Sequence, residues 1–338
     1  MFDLSKKKLK SGENVFDFLI TKLQNKNFNF IDVGARNGSF LLPEKYTKHT
    51  TLYGFEPNKR EYEKLLQMHT DAFKSNIIEP RFKKKKIYDC ALSSSKCKKK
   101  IFITNGPGAS SLMGKVNQEM VSNLSRHFDK GQNYYEKVHK TNLIETIECD
   151  KIDNIWKGKK EVIDFLKIDA EGSELDILNG AFKTLKRKKI LMIKSEFLMI
   201  PYYKKHILLG HQQVFLDKLG YRLVYIQKNH FTYSWKPTKI KDDYDEKFLL
   251  AGDAYYIIDP DLNKLNSEQK FRLGLICLAL QFNSSGINFI RESNYLSKDS
   301  LNEIELIASK PKFVRWLTII WKKFPSLVAN FLGFKNVN

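Results

Sequence analysis

Between residues 28 and 258, short runs of apolar, β-branched and aromatic residues alternate with amphipathic segments, and nothing else in the chain limits its fold as strongly. Strands separated by helices reach a parallel neighbour only through a crossover, so such a chain builds a mostly parallel sheet with helices on both faces, an α/β fold. The spacing predicts strands at residues 28–33, 51–55, 87–92, 163–169, 190–196, 222–226 and 254–258, and helices at 59–68, 173–185 and 206–219. After Pro260 only helical patterns remain, at 268–281, 298–308 and 313–332. The chain therefore divides into an N-terminal helical segment (1–25), a central domain (26–260) and a helical C-terminal extension (261–338). Residues 105–142 break the alternation with Gly, Ser, Asn and charged residues, and read as a lid-like insertion.

A chain of 338 residues with 42% hydrophobic content can bury a large core, which excludes a short binding module. Lys and Arg number 58 against 38 Asp and Glu, a formal charge of +20 that attracts anions such as nucleic acid, acidic headgroups or nucleotide-linked sugars without choosing among them. The lysine runs at 6–10, 83–86, 98–100 and 186–189 read as solvated faces, since no aromatic residues interleave them as in an RNA-recognition signature. Cys90, Cys97, Cys149 and Cys277 have no CxxC spacing, which fits a reduced chain without structural zinc. No apolar run reaches the roughly 20 residues of a spanning helix, and the first residues lack an apolar signal core, so the expected location is the cytoplasm.

Five strand ends carry the chemistry. In FNFIDVGARNGSF an apolar strand ends at Asp32 and turns through Gly34 and Gly38 into a helical pattern, a bend that lets backbone approach a ligand closely. Its D-x-G-x-x-x-G spacing is not the G-x-G-x-x-G of dinucleotide enzymes, which favours an adenosyl ligand without phosphates. In TLYGFEPNKR, Glu56 ends the next strand, where a carboxylate can accept both ribose hydroxyl protons. In IYDCALSS, Asp89 is placed to accept from an adenine amino group, with Cys90 and Ala91 supplying backbone N–H and an apolar face. In VIDFLKIDAEGSELDIL, alternation puts Asp169 and Glu171 on one side, and KSEF brings Glu196 to the same edge. Clustered carboxylates raise one another's proton affinity, which suits a general base or a cation site.

Taken in order, DVGARNGSF, GFEPN, ALS, GASSL, a T-x-x-x-D-x-I-D stretch, KIDAEGSELDILNGA, SEF and a late DAYYI resemble the FkbM methyltransferase family over roughly residues 29–258. The resemblance implies a Rossmann-like methyltransferase core, S-adenosyl-L-methionine as cofactor, and O-methylation of sugars or secondary-metabolite hydroxyls. It matches Asp32, Gly34 and Gly38 to the cofactor loop, Glu56 to the ribose-binding acid, Asp89, Cys90 and Ala91 to the adenine side, and Asp169 and Glu171 to the KIDxEG motif, with Arg36 and Asn58 as further expected cofactor-binding residues. Two positions depart from the family pattern: Cys149 stands where an aliphatic residue is usual, and Lys194 interrupts an apolar strand, suggesting an exposed or cleft-facing edge.

Methyl transfer from a sulfonium is an in-line displacement, so positioning supplies most of the rate and a carboxylate or His must take the acceptor proton. The expected base is Glu171 or Asp169, with Glu196 and His211 as further cleft candidates. A divalent metal on Asp169 and Glu196 is a secondary expectation, and a role without metal is favoured. In the tail, apolar residues at steps of three and four with flanking lysines form an amphipathic stretch over 312–334 that suits core packing, a partner subunit or an anionic membrane, which would fit a lipid-linked glycan substrate. Two other readings remain at this stage. One is an RNA methyltransferase using the basic surface, and the other is a cofactor-binding protein without catalysis.

Overall fold

Among the described residues, seven strands form the main sheet, and their order places a crevice at its centre. The computed structural model describes residues 19–23, 25–75, 79–117, 134–203, 207–228, 232–233 and 248–302. The strands are β1 (Phe28–Val33), β2 (Thr50–Phe55), β3 (Lys84–Tyr88), β4 (Ala91–Leu92), β5 (Cys97–Thr104), β6 (Thr141–Asp150), β7 (Ile163–Ile168), β8 (Ile190–Leu198), β9 (Tyr221–Lys228), β10 (Thr232–Tyr233), β11 (Phe248–Leu249) and β12 (Ala251–Ile258). The main sheet runs β3-β2-β1-β7-β8-β12-β9. All its pairings are parallel except those of β12, which lies antiparallel between β8 and β9. Strand order reverses between β1 and β7, so loops leaving their carboxyl ends diverge and open a ligand crevice there.

Strands β1, β2 and β12 are buried along their whole length, and β7 and β8 nearly so, which is why they read as unbroken apolar runs. Helix α1 (Lys59–Leu66) follows β2, and the side chains of these strands join one core with helices α2 (Glu174–Gly180), α3 (Phe182–Lys186), α4 (Leu209–Asp217), α5 (Ser267–Ala279) and α6 (Asn283–Glu292). Edge strand β3 carries Lys84, Lys85 and Lys86, a charged rim that opposes further strand pairing.

The structure revises several expectations. The strand expected at 87–92 splits: β3 stops at Tyr88, the chain bends at Asp89 and Cys90, and β4 joins a separate sheet of order β4-β6-β5. That sheet was not anticipated, because CKKKIFIT reads as a charged run; in β5, Lys98 and Lys100 are exposed while Ile101 is buried. The helix expected over 173–185 breaks at Ala181. Pro260 separates secondary-structure types but not cores, since Phe271, Leu273, Leu275 and Ile276 of α5 are buried against the main sheet. Lys194 is not on an exposed edge: it is 7% exposed, in an interior strand, and paired with Asp253 of β12 at 2.9 Å. The amphipathic stretch 312–334 lies outside the described residues, as does most of the expected N-terminal helical segment, 1–25. Among the described residues, no helix is long and apolar enough to cross a membrane.

One polar cluster fastens α5 to the amino-terminal edge of the sheet. Asp164 in β7 is fully buried, accepts the Asn29 N–H at 2.8 Å and pairs with Arg272 of α5 at 3.1 Å. Arg272 also donates to the carbonyls of Asn25 and Asn27, binds Glu268 at 2.8 Å and stands over the Phe28 ring. Burial pushes the Asp164 carboxyl above its ordinary range, and the Arg272 guanidinium offsets that only in part.

Candidate active site

The crevice holds a cleft of about 260 Å³ whose walls come from the ends of β1, β2 and β7, from β4, and from the segment after β5. Gly34 begins the turn after β1 at φ +76°, and a side chain there would overlap the Asp169 carbonyl of the next strand. The closeness of β1 and β7 at this point therefore depends on glycine. The Gly34 and Ala35 N–H groups donate to the Phe55 carbonyl at 3.0 and 3.1 Å, which brings the β2 end into the same wall.

Asp32 faces inward rather than into the cleft. It is 1% exposed, hydrogen-bonded by the Ser39 hydroxyl and paired with Lys167 at 3.0 Å. Lys167 also reaches the Gly34 carbonyl and Asp169, at 3.3 and 3.4 Å, and so rivets the β1 and β7 ends together. Burial works against the Lys167 ammonium, but Asp32 and Asp169 more than offset this and hold its proton above the ordinary lysine range. Burial likewise raises the Asp32 carboxyl, against the pull of Lys167. The Asp32 carboxylate thus shapes the loop and makes no part of the cleft lining.

Glu56, at the end of β2, lines the cleft and is 5% exposed, and it accepts the Asn58 N–H at 2.8 Å. Asn58 itself caps α1, accepting the Arg60 N–H, and does not line the cleft. Burial pushes the Glu56 carboxyl from 4.5 to about 7. Ionising a carboxyl whose folded affinity for protons is raised costs stability; the cost is absent below the unfolded value near 4.5 and complete above about 7. Glu56→Gln should therefore stabilise the ligand-free protein at pH 8 by up to about 3 kcal/mol and leave it unchanged at pH 4, as thermal melts at the two pH values will show.

The opposite wall carries a carboxylate cluster. Asp169, Glu171 and Glu196 place ligand oxygens within 4.8 Å of one another. Burial drives the Glu171 carboxyl well above the usual range, reinforced by Asp169 and Glu174. Glu196 is driven up in the same way, by burial and then by Asp169, Glu171, Glu174 and Asp253. Glu174 had no place in the sequence reading, yet it accepts the N–H groups of Ala170 and Gly172 at 3.0 and 3.1 Å and so orders the β7–α2 loop. Its position in the first turn of a helix, three residues past Glu171, was the available signal.

Of the residues expected at the site, Gly34, Arg36, Glu56, Ala91, Asp169 and Glu171 line the cleft. Gly38, Asp89 and Cys90 do not; Asp89 is exposed at the bend between β3 and β4, which the unsplit strand could not foresee. Glu196 joins the carboxylates without lining the cleft. His211 is misplaced by the sequence reading: it lies exposed on α4, while its neighbour Gln212 turns inward to Ser195 and the Glu196 carbonyl. Lining residues missed from sequence include Asn37, Lys167 and Ser173; five more come from β5 and the segment after it, Ile101 and, within the stretch expected as a lid-like insertion, Pro107, Gly108, Ser110 and Leu112. Pairing of β5 with β6 brings the latter five over the cleft, and no local pattern announces that pairing.

Two polar atoms in this wall, Asn37 Oδ1 and Ser173 Oγ, are buried without a hydrogen-bond partner among the described residues. Buried polar atoms are seldom left so, and orphans inside a cleft fit a wall completed by a polar ligand.

No curated protein matches the chain. A solved Streptococcus pneumoniae structure, assigned as a tRNA (m1A22) methyltransferase, covers 88% of this chain and 99% of its own at 9% identity, with a TM-score of 0.27, too loose to support any argument. The family model described as the methyltransferase FkbM domain matches residues 32–223, from the Asp32 loop through the carboxylate wall to the start of β9. That span takes in more than half of the sequence and both walls of the cleft, and the chain belongs to the FkbM methyltransferase family.

Proposed function

We propose that this methyltransferase moves the methyl group of S-adenosylmethionine to a hydroxyl of a sugar, glycan or similar polar acceptor, with Glu171 as general base. The observation that carries the reading is the pairing, across one cleft, of a ribose-type acceptor (Glu56) with a carboxylate of raised proton affinity (Glu171). S-adenosylmethionine, when bound, supplies an electrophilic methyl group on a sulfonium. Glu56 accepts from ribose hydroxyls, while Gly34 lets the backbone approach. Asn37 and Ser173 gain partners for their orphaned oxygens.

In transfer, the acceptor oxygen forms a bond to the methyl carbon as the carbon–sulfur bond breaks, and the hydroxyl proton passes to a Glu171 carboxylate oxygen. A hydroxyl is a weak acid, so a base that binds protons tightly is better matched to it than an ordinary surface carboxylate. The cleft wall also supports this order of roles: Asp169 is spent in part on Lys167, while Glu171 is held against like charges.

The test is transfer of radiolabelled methyl from S-adenosylmethionine to a panel of monosaccharides, nucleotide sugars, lipid-linked glycans and total RNA. Label stable to mild alkali on a sugar hydroxyl is the expected result. Label confined to RNA bases would remove the acceptor assignment and leave the methyltransferase one.

A further inference from the structure

The four cysteines are scattered along the sequence, yet strand pairing sets two of them face to face. Cys97 opens β5, Cys149 stands one residue before the end of β6, and in the antiparallel register of these strands they are direct partners. Residues directly opposite in an antiparallel pair point to the same face, with Cα atoms about 4.5 or 5.5 Å apart. Either spacing falls inside the roughly 4.4–6.8 Å that a disulfide spans. The face they share is the inner one, where Cys97 packs against the apolar cluster of Ala91, Ile101, Ile147 and Cys149. The two thiols differ in setting. Cys149 is buried, and that burial pushes its thiol up to about 11. Cys97 is half-buried at the strand end, where its sulfur accepts from the Ser95 hydroxyl at 3.6 Å and lies 3.9 Å from the Ser93 hydroxyl. The other cysteines have no such placement: Cys90 precedes β4, outside the paired register, and Cys277 is buried in the main core on α5.

We propose that Cys97 and Cys149 are a redox-active dithiol that a peroxide closes into a disulfide, stapling β5 to β6 behind one wall of the cleft. The Cys97 sulfur attacks a peroxide oxygen, the oxygen–oxygen bond breaks, and Cys97 becomes a sulfenic acid as its thiol proton leaves with the departing oxygen. The Cys149 sulfur then displaces the hydroxyl: a sulfur–sulfur bond forms, the sulfur–oxygen bond breaks, and water departs with the Cys149 proton. Two thiols are oxidised, and hydrogen peroxide is reduced to two molecules of water. A dithiol reductant reverses the change. The bridge reaches the cleft through both partners. Cys149 also pairs with Ala91 of β4, and the cleft-lining residues Ala91, Ile101 and Leu112 belong to, or pack on, the cluster that holds the two thiols. The bridge closes a loop of about 50 residues, so it withdraws more freedom from the unfolded chain than from the folded one.

The full chain, reduced and then freed of reductant, is treated with hydrogen peroxide and digested without reduction for mass spectrometry. A peptide pair joined through Cys97 and Cys149 is expected, with two of the four thiols lost to titration and both regained with dithiothreitol. The oxidised protein should melt about 5 °C above the reduced one. Cys97→Ser should remove both the bridge and the rise, while Cys90→Ser keeps both. The proposal is overturned by a bridge from Cys90 to Cys149, by bridges between two chains, by sulfinic or sulfonic acid on Cys97 with Cys149 still a free thiol, or by retention of all four thiols. A Cys97–Cys149 bridge that leaves the melting temperature unchanged or lower overturns the staple, because the strands must then distort to make it. These readouts use neither cofactor nor acceptor, so they stand apart from the test of methyl transfer.

Discussion

Glu171→Gln is expected to lower kcat by on the order of 10²–10⁴-fold while leaving affinity for S-adenosylhomocysteine within a few-fold. Glutamine matches glutamate in size but cannot take the acceptor proton, so the loss falls on the chemical step. The substitution also removes one of several mutually repelling carboxylates, so the variant should be at least as stable as wild type above neutral pH. Calorimetry with S-adenosylhomocysteine, single-turnover transfer and a thermal melt separate these effects. Loss of cofactor affinity in step with turnover would instead place Glu171 in the cofactor site.

The second large effect is on stability. Arg272→Ala should cost about 3–5 kcal/mol, because it leaves the fully buried Asp164 carboxylate with no opposing charge and strands the Asn25 and Asn27 carbonyls that Arg272 also serves. Urea denaturation followed by circular dichroism measures the loss. Arg272→Ala combined with Asp164→Asn should recover part of it, since the second change removes the unpaired charge. A cost below about 1 kcal/mol, the range of an exposed pair, would show that water reaches Asp164.

The same pair shows where sequence reading stops. Strands β1, β2, β7, β8 and β12 were legible because each is an apolar run buried on both faces, and Glu56, Asp169 and Glu171 were legible because they stand where those runs end. Asp164 and Arg272 lie 108 residues apart, and nothing local marks them as partners. Lys194 misled for a related reason: a charge inside an apolar run signals exposure unless its counter-charge is known, and Asp253 comes from a strand far along the chain. Asp32 was assigned to the cofactor because its motif position fits, whereas Lys167 and Ser39 claim its carboxylate for the loop. The β5–β6 sheet was hidden because Lys98, Lys99 and Lys100 run together in β5, where only Ile101 and Thr104 are buried, so no apolar alternation marks a strand that pairs with β6.

The placement of β12 bears on how the chain is made. It leaves the ribosome after β9 yet lies inside it, so until it arrives β8 offers a bare hydrogen-bonding rim and β9 has nothing to dock on. A nascent polypeptide halted before Ala251 would therefore carry an open sheet with an apolar lip, a target for holding chaperones and a seed for self-association, and the catalytic half would be sealed only by the last of the described strands.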